Sequence, residues 1–201
     1  MYKVLIGSLA VLSLLAFLGC QEKKTTEQSE VHFTKEDSLT ERYLLLQDSM
    51  LHAWNLMIND DNQKLKSMQH LIHEMTIGRQ AEEHELVSLQ ERLEQLWRIR
   101  FTQRTMANPD VIEEYDFASN SLVVELVALA NSAPNFEQNT TLQSLTESIT
   151  MADQRVLIHR ADYDEIVNRY NTFLRDNKEL IKNIDKNSSL EKKPLFGMSE
   201  E

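Results

Sequence analysis

The chain has 201 residues, with 21 Lys and Arg against 32 Asp and Glu and a formal net charge of −11. That balance argues against a nucleic-acid partner, because phosphate binding needs clustered basic residues. With only 4 Gly and 3 Pro, and with Ala, Leu, Glu, Gln, Lys, Arg and Met dominant, the expected fold class is all-α. The single cysteine, Cys20, can close neither an intramolecular disulfide nor a thiolate zinc site.

The N-terminus reads as an address and an anchor. Met1-Tyr2-Lys3 is a short basic stretch, and Val4 to Leu18 is an apolar run too short to cross a bilayer comfortably, as in a signal peptide. Phe17-Leu18-Gly19-Cys20 resembles a bacterial lipobox, with Phe17 where Leu is usual. The expectation is a lipoprotein signal peptide over 1–19 and lipid attachment at Cys20; the alternative is an ordinary signal peptide or a membrane helix with an incidental cysteine. Each buried CH₂ of an acyl chain contributes about 0.8 kcal/mol to membrane binding. Residues 20–36 are polar and mixed in charge, the composition of a disordered tether. Gln21, rather than Asp, after the cysteine slightly favours the outer membrane by analogy with bacterial sorting.

A first helix is expected from Asp37-Ser38, with Glu41 completing a capping-box spacing. Its apolar positions include Tyr43, Met50 and Met57, with Leu44, Leu51 and Ile58 beside them, a third row of Leu46 and Ala53, and Trp54 on the flank. Asn59-Asp60-Asp61-Asn62 has the composition of a turn and sets the expected boundary with a second helix, Gln63 to Met106. The seams of that helix are Leu65, Ile72, Leu86, Leu93 and Met68, Met75, Leu89, Leu96. Both break at Arg79 and Glu82, next to Gly78, as at a kink or an ion-paired level.

Asn108-Pro109 reads as a cap followed by proline in the first turn of a third helix, which runs to about Asn131. Val111, Ile112, Tyr115, Leu122, Leu126 and Leu129 are its inward candidates. The last helix, roughly Asn139 to Lys182, carries a sustained heptad pattern. One row is Leu142, Ile149, Val156, Tyr163, Tyr170; the other is Leu145, Ala152, His159, Ile166, Phe173, Leu180. Together these elements predict an elongated antiparallel up-and-down four-helix bundle over 37–185, with the second and fourth helices long. A polar tail follows over 186–201, whose Pro194-Leu195-Phe196-Gly197-Met198 patch either docks on the bundle or stays loose.

From Pro134 onward one pattern runs through Pro134, Phe136, Asn139, Leu142, Leu145, Ile149, Asp153, Arg155, Val156, Arg160, Tyr163, Asp164, Val167, Tyr170 and Asn171. These residues and their spacing resemble the LemA family of bacterial membrane-anchored proteins. They are similar to a family core of Arg-x-x-Tyr-Asn-x-x-Val-x-x-Tyr-Asn, with Asp164 in place of Asn and Asp153 in place of Glu. Asn120 and Leu122, Ala53-Trp54 and Leu71-Ile72 extend the likeness over most of 40–185; a paired Arg and an Asp-Leu-Ile-Pro of the family are missing from the first block. The resemblance implies a long four-helix bundle held at a membrane, outside the cytoplasm. It supplies no agreed activity and no catalytic residue.

Few residues stand out as chemistry. His70 and His73 lie three apart with Glu74 adjacent, but the chain has neither an H-E-x-x-H nor a Glu-x-x-His, so no metal or other cofactor is expected. His159 falls on a core seam, and Arg155, Arg160 and Asp164 are candidate partners for the hydroxyls of Tyr163 and Tyr170. No nucleophile elbow and no phosphate loop is present. The expected protein is therefore not an enzyme but an anchored scaffold that binds another envelope protein. The alternative is a ligand-binding or sensing module of the envelope at Arg79 and Glu82 or at His70 and His73, with an enzyme of unrecognised type ranking behind it.

Overall fold

The structure, a computed structural model, describes residues 34–184 and 190–197. The expected leader, Cys20 and nearly all of the tether lie outside the described residues, as does Met198. Four helices follow in order: α1 (Lys35–Ile77), α2 (Glu83–Arg98), α3 (Pro109–Asn131) and α4 (Thr140–Ile184), with short 3₁₀ turns at Thr105–Ala107 and Phe136–Gln138. Among the described residues there is no strand.

The two long helices are the first, of 43 residues, and the last, of 45, not the second and fourth. They run antiparallel. Tyr43 stacks on Tyr170 (6.2 Å between ring centroids), Lys64 meets Asp153 (3.0 Å) and Ser67 meets Ser148 (3.0 Å). The expected break at Asn59–Asn62 does not exist, and α1 passes straight through it. Asp and Asn favour turns because their side chains bond nearby backbone. Here that tendency is overridden, because Asp60, Asp61 and Asn62 find partners on other segments: Arg155 for Asp60, and Arg100 for Asp61 and Asn62.

The first break comes instead at the level where the two seams lapse. Gln80 N–H bonds the Met75 carbonyl (2.9 Å) and Arg79 N–H bonds the Thr76 carbonyl (3.2 Å), the pair of bonds that closes a Schellman helix end. Arg79 holds the left-handed position at φ 51°. Gly78 sits one residue earlier, where a Cβ would come within 3.1 Å of the Glu74 carbonyl oxygen. At the other end, α1 starts at Lys35, so Ser38 lies inside the helix and the expected capping box does not form.

The second helix also ends early, at Arg98 rather than Met106. Phe101 and Met106 turn inward at 6% and 2% exposure, and Thr102 and Thr105 exchange backbone-to-hydroxyl bonds (2.8 and 3.2 Å) that hold the chain in a turn. Beyond it, Asn108 caps α3 by accepting from Asp110 N–H (3.1 Å) with Pro109 in the first turn, as expected. Asn139 caps α4 by accepting from the N–H groups of Thr141 and Leu142 (both 3.1 Å).

The seams are largely as read. Leu65, Ile72, Leu86, Leu93, Met68, Met75, Leu89 and Leu96 are all buried, as are Leu142, Ile149, Val156, Tyr163 and Tyr170. The companion row of α4 shifts along its length: Ala152 and Phe173 are buried, but Leu180 is 39% exposed, and Val167, Leu174 and Ile181 take the core position. Leu44 and Leu51 stay about half exposed.

Candidate functional site

The turn-like cluster of α1 is the polar centre of the bundle. Lys64, 2% exposed, donates to Ser119 Oγ (2.8 Å) and Asp153 Oδ1 (3.0 Å) and lies 3.4 Å from Asp61 Oδ1. Asp61 also accepts from Arg100 (2.9 Å) and from the Tyr115 hydroxyl (2.7 Å). On the next face Asp60 accepts from Arg155 Nε (3.0 Å) and lies 3.2 Å from His159 Nε2. Three carboxylates of this cluster, on Asp60, Asp61 and Asp153, thus meet three cations, on Lys64, Arg100 and Arg155, with all four helices or their connections contributing. Burial, reinforced by the Asp61 carboxylate, pushes the Tyr115 hydroxyl far up, so it stays a neutral donor. These groups satisfy one another, which suits them to holding helices in place rather than to binding.

His159 Nδ1 makes no hydrogen bond and lies 3.5 Å from Asp162. Arg155 and Arg160 do not serve the tyrosine hydroxyls as expected. Arg155 goes to Asp60, and Arg160 forms a two-pronged pair with Asp116 (2.6 and 2.7 Å). Burial, with Asp164 adding to it, pushes Tyr163 up to about 12.

Where α1 ends and α2 begins, a groove of about 910 Å³ opens. His70, His73 and Arg79 line it, over an apolar floor that includes Ile72 and Leu86. Arg79 and Glu82 are both exposed, so they form no inward-facing charged level, and Glu82 is not in the wall of the groove. Among the described residues no group of His, Cys, Asp and Glu is arranged to hold a metal ion.

The C-terminal patch docks. Asn171 bonds the Lys193 backbone twice, donating to its carbonyl (2.9 Å) and accepting from its N–H (2.8 Å). Asp164 accepts from Phe196 N–H and Gly197 N–H, both at 2.8 Å. The Phe196 ring stacks on Trp54 (6.1 Å) and meets Phe101 (5.5 Å) and Tyr163 (5.6 Å) edge-on, with the Arg160 guanidinium 4.8 Å from its centre.

Sequence reading missed Asp60, Asp61 and Lys64, although a signal was there. The row Tyr43, Met50, Met57 continues in sevens to Lys64 and Leu71, and both are buried. The aromatic cleft had no such signal, because it assembles residues from four separate stretches.

Among the described residues no helix is long and apolar enough to cross a membrane. A comparison with curated proteins and with solved structures gives no match. The family model described as the LemA family matches residues 64–201. That match starts later than the likeness expected from about residue 40 and takes in the docked tail. With well over half of its residues in that match, the chain belongs to the LemA family.

Proposed function

We propose that the protein is a lipid-anchored helical scaffold of the bacterial envelope, tethered at Cys20, which holds its bundle outside the cytoplasm and binds another envelope protein without catalysing a reaction. The observation that carries this reading is on the outer face of α3. Phe117 is 80% exposed and Val124, two turns on, is 69% exposed. With Ala128 they border a shallow depression edged by Asn120, Ser121 and Glu125, an apolar centre with a polar rim, as in protein interfaces. The Phe17-Leu18-Gly19-Cys20 motif supports the anchor. The test is cross-linking and co-purification from native membranes, comparing wild type with Cys20→Ala. One envelope protein captured only by the wild type is the expected result; no capture by either form would overturn the scaffold.

A second reading, a sensing module, is favoured by the groove at His70, His73 and Arg79, whose volume of about 910 Å³ is that of a small-molecule site. It predicts a compound that raises the melting temperature of the wild type but not of Arg79→Ala. A library screen with no such compound counts against it.

A further inference from the structure

The cleft around Phe196 has the chemistry of a peptide-binding site. Every hydrogen bond that Asn171 and Asp164 make to the tail goes to backbone: the Lys193 carbonyl and N–H, and the Phe196 and Gly197 N–H groups. Backbone capture of this kind reads a main chain, whatever its side chains, here one that bends at Phe196 and Gly197. Side-chain selection centres on one box, in which Trp54, Phe101, Tyr163 and the Arg160 guanidinium surround a single aromatic ring, while Leu190 and Leu195 also pack against the core. A Cβ at position 197 would lie 3.4 Å from Asp164 Oδ2, ordinary contact, so the last position asks for a free N–H and not for glycine. The two-pronged pair with Asp116 holds Arg160 over the ring independently of the tail.

We infer that this cleft binds a segment of a partner protein that bends at an aromatic side chain followed by a non-proline residue, and that the chain's own Lys193–Gly197 occupies it until displaced. The inference rests on the scaffold reading for its partner, and it adds to the outer face of α3 a second point of contact with that partner. The cleft commits to a partner segment rather than to a reactive small molecule because four bonds to the main chain of Lys193, Phe196 and Gly197 define a polypeptide.

The test uses the full chain and a fluorescently labelled synthetic peptide of residues 190–201, read by anisotropy. Phe196→Ala empties the box, and Gly197→Pro removes one of the two N–H groups that hold the tail; circular dichroism checks that each variant is folded. Both variants bind the peptide roughly tenfold or more tightly than wild type, in which the tethered tail competes at up to millimolar effective concentration. A peptide with Ala in place of Phe does not bind. The inference is overturned if both folded variants bind no better than wild type, or if the Ala peptide binds equally well. It is also overturned if wild type is a dimer by light scattering while Phe196→Ala is a monomer, since the occupant is then the tail of a second copy. Peptide binding needs no membrane, so it stands or falls separately from membrane co-purification: peptide binding without a captured partner sinks the scaffold and keeps the cleft, and the reverse result does the opposite.

Discussion

Lys64 shows how a charge becomes useful inside an apolar bundle. Its ammonium touches Asp61, Asp153 and Ser119 at once. Slide α4 by one turn in either direction and the residue opposite Lys64 becomes Ile149 or Val156, an apolar neighbour for a buried cation. The apolar seams alone, repeating every heptad, penalise such slips far less. Lys64→Met leaves Asp61 and Asp153 short of a cation and should lower stability by about 3 kcal/mol, read from the urea midpoint. An unchanged midpoint would show that the cluster carries no weight in the fold. Tyr163 gives a second residue-level test. Its phenol is pushed up from 10.0 to about 12, burial first and Asp164 second. Between those values the unfolded chain loses its phenolic proton while the folded chain keeps it, so this contribution to stability is complete below pH 10 and is lost as pH rises through 12. Phenolate absorbance of the folded protein, compared with Tyr163→Phe, should show one tyrosine titrating late in that window.

At the scale of helices, the informative place is the end of α1. Arg79 occupies a left-handed position that suits glycine, at a cost of about 1 kcal/mol. Arg79→Gly should therefore stabilise the chain by about that amount and raise its melting temperature by roughly 2–4 °C. Destabilisation would instead mean that the Arg79 side chain contributes more than its backbone strain removes. The same helix end explains which elements the sequence made legible. Heptad rows predicted the buried aliphatics of α2 and of the first half of α4, because a helix must turn its apolar stripe inward wherever its ends fall, but not Val167, Leu174 and Ile181 further on. They did not predict the ends. The most turn-like tetrapeptide in the chain, Asn59–Asn62, is helical because Arg155, Arg100, Tyr115 and His159 come to it from segments 38 or more residues away. Gly78 marked the true break, and it was visible only as a lapse in two seams. Of the groove's residues Arg79 was legible from that lapse, whereas His70 and His73 stood out only by lying three apart on one helix. The cleft at Phe196 was not legible, because Asp164 read as a departure from Asn, while in the fold its two acceptor oxygens each take a backbone N–H.

At the scale of the molecule, stability and binding fall on different faces. The core and the charged cluster lie between helices, whereas Phe117 and Val124 contribute almost nothing to it at 80% and 69% exposure. The pair Phe117→Asp with Val124→Asp should leave the urea midpoint within about 0.5 kcal/mol of wild type while abolishing capture of the envelope partner. If capture survives, the interface is elsewhere on the bundle. The pairing of the first helix with the last has a further outcome, in time rather than in space. Asp60 and Arg155 are 95 residues apart, and Lys64 and Asp153 are 89 apart. A chain made from its N-terminus completes α1 well before α4 exists. The apolar face of α1 is thus the first to be synthesised and the last to be covered. Until roughly the final quarter of the chain has emerged, Tyr43, Met50 and Met57 have no native neighbour on α4, and a nascent chain stalled short of it is a target for chaperones and proteases.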